Sequence, residues 1–149
     1  MKAPTTLIVL ADDRRARFLV NRGVGKGVQE VASLDAGSVV EPHPDNDERP
    51  GRQTGGPDNM ARHGLDPRET AEVLERGRFA QQVIERTEKE WRRHKADRLV
   101  LAAAPKMLGE LRGNLGDSLA AALYADLAKD LVKVPERELP AHFADVLAL

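Results

Sequence analysis

Arg49, Arg52, Arg62 and Arg68 crowd one segment, 49–68, opposed there only by Asp58 and Asp66. Guanidinium groups on a polar loop without hydrophobic period are suited to phosphate, as on an RNA backbone. Asp45, Asp47 and Glu48 just upstream weaken any anion site, and the same charges would equally keep a solvated loop soluble. A second anion-site candidate is Lys106, behind Pro105 at the start of a helix that follows a parallel strand. Backbone donors at such a start accept anions, and open α/β sheets bind ligands at the carboxyl ends of their parallel strands. Arg112 would join it from farther along that helix, although a surface lysine beside a core helix has the same sequence pattern.

Other chemistries find less support. Two-metal nuclease chemistry needs several carboxylates converging from separate elements. Asp12 and Asp13 with Glu72 and Glu75 begin such a set, but the strand "LVLAAA" ends without an acid, and Asp12–Asp13 suit a turn. His43, His63, His94 and His142 are scattered without metal-ligand spacing. "GVGKG" lacks the phosphate-loop spacing and reads as a hairpin turn. The chain has no Cys, which excludes disulfides and thiolate chemistry. No metal and no cofactor is expected.

The elements that must position these residues follow from hydrophobic period. The chain has 149 residues, with 41% hydrophobic and 32% charged, enough for one domain with a real core. Formal charge is −1, so contact with nucleic acid must be local rather than global. "LIVLA" is too short for a signal core and no run approaches membrane length, so a cytoplasmic protein without membrane contact is expected.

"TLIVLA" (6–11) is a continuous apolar run, as in a strand covered on both faces. "ARFLVN" and "VQEVASL" follow across short polar connections, completing an antiparallel meander. A long loop occupies about 36–68. From Pro67, Val73, Gly77, Ala80, Ile84, Thr87 and Trp91 mark one stripe of a helix of about six or seven turns. Glu72–Arg76, Glu85–Lys89 and Glu88–Arg92 are spaced as i,i+4 pairs on its other face. "DRLVLAAA" (97–104) predicts a buried parallel strand. "PKMLGELRGNL" predicts a helix with Met107, Leu108, Leu111 and Leu115 inward, and Asp117 a capped turn. "ALYADLAKDL" is ambiguous between helix and strand, and chain order favours a fifth strand. "PERELPAHFADVLAL" predicts a closing helix interrupted by Pro140. The expected fold is a single α/β domain with a mixed five-stranded sheet, three strands antiparallel and the rest added in parallel through helices.

Four segments together, "LADDRRARFL", "ERPGR", "LVLAAAPKMLGELR" and "KDL", resemble the host attachment protein family, required for attachment to host cells. That family is grouped with bacterial relatives of the archaeo-eukaryotic release factors and Pelota. The resemblance runs from about residue 6 to 147 and implies a ribonuclease H-like fold of the release-factor central-domain type. It also implies that the loop before the long helix corresponds to the Gly-Gly-Gln tip that hydrolyses peptidyl-tRNA. Here Gly55 and Gly56 match, but Pro57 stands in place of Gln. Proline has neither a side-chain amide nor a backbone N–H to orient water or hold an oxyanion. Asn59 has an amide, two residues farther on.

The expectation is therefore a non-catalytic binding protein that meets ribosomal RNA, transfer RNA or the ribosome through residues 45–68. Its candidate contacts are Arg49, Arg52, Gly55, Gly56, Asn59 and Arg62, with Lys106 and Arg112 as a second group. An adaptor or homo-oligomer that supports attachment indirectly is the alternative, and a hydrolase with altered loop chemistry is a third.

Overall fold

A computed structural model describes residues 3–39 and 67–149. Five strands form one sheet: β1 (Thr6–Ala11), β2 (Arg15–Asn21), β3 (Gln29–Asp35), β4 (Arg98–Ala103) and β5 (Leu123–Leu127). Their order is β3-β2-β1-β4-β5. The β1–β2 and β2–β3 pairs are antiparallel, with Thr6 opposite Asn21, while β1–β4 and β4–β5 are parallel, with Thr6 beside Arg98. The expected mixed α/β sheet is thus present, and "ALYADLAKDL" supplies a strand.

All six residues of β1 are buried because it lies at the centre and both its faces are covered. Leu7, Val9 and Ala11 face one core with Phe18, Leu99 and Leu101. Ile8 and Leu10 face a second core with Leu19, Val100 and Ala102. The first core is roofed by α2 (Pro67–His94), α3 (Pro105–Gly113) and α4 (Asp117–Ala122), through residues such as Phe79, Val83, Met107, Leu111 and Leu119. A short helix, α1 (Ala36–Val39), follows β3.

The second core is covered by a largely irregular carboxyl-terminal segment. Only a 3-10 turn (Glu136–Glu138) and the four-residue α5 (Leu139–His142) replace the expected closing helix. Pro140 lacks an N–H and is tolerated only in the first turn, so it restricts the helix to a fresh start. Asp117 also departs from expectation: Gly116 occupies the cap position and no side chain caps α4.

The β2–β3 connection uses glycine where the backbone requires it. Gly23, Gly25 and Gly27 all have positive φ. Buried Asn21 holds this turn: its amide donates to the Gly23 and Gly27 carbonyls at 2.9 and 2.7 Å, and its Oδ1 accepts the Gly23 N–H at 3.0 Å.

The long helix α2 spans 28 residues, more than the stripe suggested. It ends where Lys95 adopts φ 54° and the Ala96 N–H reaches back to the Trp91 carbonyl at 3.1 Å. That left-handed position favours glycine, since a side chain there crowds its own carbonyl. Lys95→Gly is expected to stabilise the fold by about 0.5–1 kcal/mol, a small rise in Tm. A lower urea midpoint would mean that the Lys95 stem packs more usefully than its Cβ strains.

Candidate functional site

The β1–β2 turn is built on Asp12. Its Oδ1 accepts the Arg14 and Arg15 backbone N–H groups at 2.8 and 2.6 Å, and its own N–H donates to the Arg15 carbonyl at 2.9 Å. This arrangement turns Asp13, Arg14 and Arg15 outward at the carboxyl end of β1. Beside them lies an open cleft of about 610 Å³, lined by Asp12, Asp13, Arg14, Arg15, Asp35, Ala104, Asp130 and Lys133. It occupies the carboxyl ends of parallel β1 and β4, where open α/β sheets place ligands.

Seven of those eight residues are ionisable, and the two signs are used differently. Asp13 takes the Arg76 Nε of α2 at 3.3 Å. Asp35 accepts the Gly37 N–H at 2.8 Å and Asp130 the Val132 N–H at 3.1 Å. Arg14, Arg15 and Lys133 meet no side-chain acceptor among the described residues. No Ser, Cys or His among the described residues lines the cleft. Among the described residues, no group of three or more His, Cys, Asp or Glu could hold a metal ion. The nuclease set does not assemble, because Asp12 is bound by amides and Asp13 by Arg76.

Below the cleft, Arg17 fastens β2 to the carboxyl-terminal segment. Its Nε pairs with Glu30 at 2.8 Å, and its Nη1 donates to the Val132 and Val134 carbonyls at 2.8 and 2.7 Å.

The sequence-predicted contacts are divided by this geometry. Arg49, Arg52, Gly55, Gly56, Asn59 and Arg62 lie outside the described residues. Lys106 is exposed in the first turn of α3, next to cleft-lining Ala104. Arg112 pairs with Asp126 of β5 at 3.4 Å.

A polar centre that hydrophobic period did not reveal sits near the far end of α2. The Glu90 side chain is fully buried, with Arg86 Nε at 2.8 Å, His94 Nε2 at 3.2 Å and Arg93 Nη1 at 3.7 Å. Burial pushes its carboxyl up, but the Arg86 hydrogen bond and the charges of Arg86, Arg93 and His94 outweigh that, and the group stays below its ordinary 4.5. The only sequence signal was a glutamate three and four residues from three cationic or titratable side chains.

The model for a family described as "Protein required for attachment to host cells" matches residues 7–143. The chain belongs to this family. No curated protein matches it. The attachment-family match takes in every cleft residue, Glu90 and all five strands but for Thr6, and it ends on Phe143, a fully buried residue of the second core. No helix of the described residues is long and apolar enough to cross a membrane.

Proposed function

We propose that this member of the attachment family is a non-catalytic, cytoplasmic binding protein that contacts RNA or the ribosome through residues 45–68. We further assign its sheet to the ribonuclease H-like class, of the release-factor central-domain type. The strand order β3-β2-β1-β4-β5, antiparallel on one side of β1 and parallel on the other, supports that assignment.

One observation carries the binding part. Before residue 40 the described chain leaves from Asp35, on the cleft wall, and after residue 66 it returns into α2, whose Arg76 reaches Asp13 on the same wall. The described chain on either side of residues 40–66 thus borders a cleft whose Arg14, Arg15 and Lys133 meet no side-chain acceptor among the described residues, and the intervening sequence adds Arg49, Arg52 and Arg62. Their combined attraction for phosphate would be strong at low salt and fall as salt rises.

Sedimentation through a sucrose cushion tests the reading. The protein is expected to travel with ribosomes at low salt, and a variant with Ser at positions 49, 52 and 62 is expected to stay in the supernatant. Absence of co-migration by the unaltered protein would sink the proposal. The family's description favours a second reading, an adaptor or homo-oligomer that supports attachment indirectly. Fractionation that places the protein on the outer cell surface would support that reading and displace the cytoplasmic one.

A further inference from the structure

The end of the molecule opposite the cleft has its own charge pattern. There α2 finishes, β4 begins, and the β2–β3 turn comes alongside, joined by Arg22 Nη2 and His94 Nδ1 at 3.5 Å. Arg22 and Lys26 on the turn join Lys89, Arg92, Arg93, Lys95 and Arg98 from the helix end and strand start. Within residues 22–26 and 89–98 only Glu90 and Asp97 are acidic, in a chain whose formal charge is −1. Both acids are committed: Glu90 is buried among Arg86, Arg93 and His94, and Asp97 accepts the Thr5 N–H at 2.8 Å.

The cations are left over. Lys26, Lys89, Arg92 and Lys95 are exposed and meet no carboxylate among the described residues. The helix pairs Glu85–Lys89 and Glu88–Arg92 that would have neutralised two of them do not form. Complementing the negative end of the helix dipole accounts for charge in the last turn of α2. It does not account for Arg22, Lys26 or Arg98, which lie off the helix. At the same edge, where β5 begins, stands Tyr124, the chain's single tyrosine and 50% exposed. The Arg98 guanidinium lies 4.2 Å from its ring centroid.

We propose that this amino-terminal edge of the sheet is a nucleic-acid surface, on which Arg22, Lys26, Lys89, Arg92 and Lys95 hold backbone phosphates and Tyr124 offers a stacking face to a base. Clustered cations with an exposed aromatic ring are the recurring chemistry of single-stranded nucleic-acid binding. The identity of the polyanion as RNA rests on the function proposed above; the surface itself does not. The 28 residues of α2 place it about 42 Å from Pro67, the helix start.

Fluorescence anisotropy with a short labelled single-stranded RNA, read across a salt series, separates the two sites. Replacing Lys26, Lys89 and Arg92 together with Ser is expected to weaken binding about tenfold or more and to lower the salt slope by about 2, near 0.7 per lost phosphate contact. These side chains are exposed, so circular dichroism and Tm are expected to stay unchanged. Tyr124→Leu is expected to lose affinity with the slope preserved, since stacking releases no counterions. If the Arg49, Arg52 and Arg62 variant loses binding while the Lys26, Lys89 and Arg92 variant matches wild type in affinity and slope, this surface is overturned and the loop reading stands. The reverse pattern upholds the surface and removes the loop. No binding of RNA with retained binding of single-stranded DNA overturns the RNA reading alone, and no binding of either by the wild-type protein overturns both.

Discussion

Replacing Arg86 with methionine is expected to destabilise the fold by about 2–3 kcal/mol near neutral pH, and the cost is expected to shrink under acid conditions. Arg86 supplies the shortest contact to Glu90, 2.8 Å, and is the first of the cations holding that carboxyl below 4.5. Methionine keeps much of the stem that passes Phe18, where the guanidinium carbon stands 5.8 Å from the ring centroid. What is lost is the partner of a fully buried charge, leaving the weaker contacts of Arg93 and His94.

The sign of the pH dependence follows by linkage. In wild type the folded Glu90 carboxyl is depressed, so its stabilisation is present above 4.5 and is lost as pH falls through the folded value. Without Arg86, burial acts against fewer opposing charges and draws the carboxyl upward. The variant then carries an ionised, poorly paired carboxylate above 4.5, and protonation relieves it. Urea unfolding near pH 7 and again near pH 4 would show the gap between wild type and variant closing. An equal gap at both would mean that Arg86 acts through its packing on Phe18 and not through the carboxylate. Glu90→Gln, which cannot titrate, is expected to flatten the acid limb of the stability curve.

The Glu90 centre also marks where sequence reasoning stopped. Hydrophobic period located α2, but the buried set is Phe79, Ala80, Val83, Ile84, Thr87 and Glu90, whereas Val73 and Leu74 are about half exposed. The reason is length. Strands of five to seven residues run about 20 Å, and a 28-residue helix runs about 42 Å, so its first turns extend past the sheet they would pack on. Trp91 is only partly buried and Glu90 takes the inner position, a choice that a polar residue type conceals. The three i,i+4 pairs read from the sequence do not form, in keeping with the few tenths of a kcal/mol each would contribute against side-chain entropy.

The strands were more legible, because each signal was redundant. β1 is apolar throughout and covered on both faces; β5 is compositionally ambiguous, and chain order after a parallel strand resolved it. The cleft was foreseeable only through the rule that ligands meet the carboxyl ends of parallel strands, which singled out Lys106. Arg112, named with Lys106, is engaged by an ion pair. It sits in the last turn of α3, and the acid within its reach is Asp126 on β5.

The largest single loss is expected from Phe143→Ala, about 3–5 kcal/mol. Phe143 is fully buried and packs in the second core with Ile8, Leu10, Leu19, Val100 and Ala102 from the sheet. The backbone hydrogen bonds of the segment that carries it are mostly local turns, such as the Phe143 N–H to the Pro140 carbonyl at 3.2 Å. Among the described residues its backbone is tied to the sheet's turns through the Leu149 carbonyl, which takes the Gly25 N–H at 3.2 Å. Its position over the sheet therefore depends chiefly on side chains: Leu131, Val132, Leu139, Phe143 and Leu147 from within, and Arg17 holding the Val132 and Val134 carbonyls. Alanine at 143 leaves a void that an irregular segment can close only by shifting, and a shift uncovers the even-numbered face of β1. A lower urea midpoint is expected, with faster native-state proteolysis confined to residues 131–149, because the opposite face keeps its roof of α2, α3 and α4. A cost under about 1.5 kcal/mol with unchanged proteolysis would show that the segment is held by Arg17 and its leucines without the ring. Proteolysis spreading into β1 and β4 would show instead that the two cores unfold as one unit.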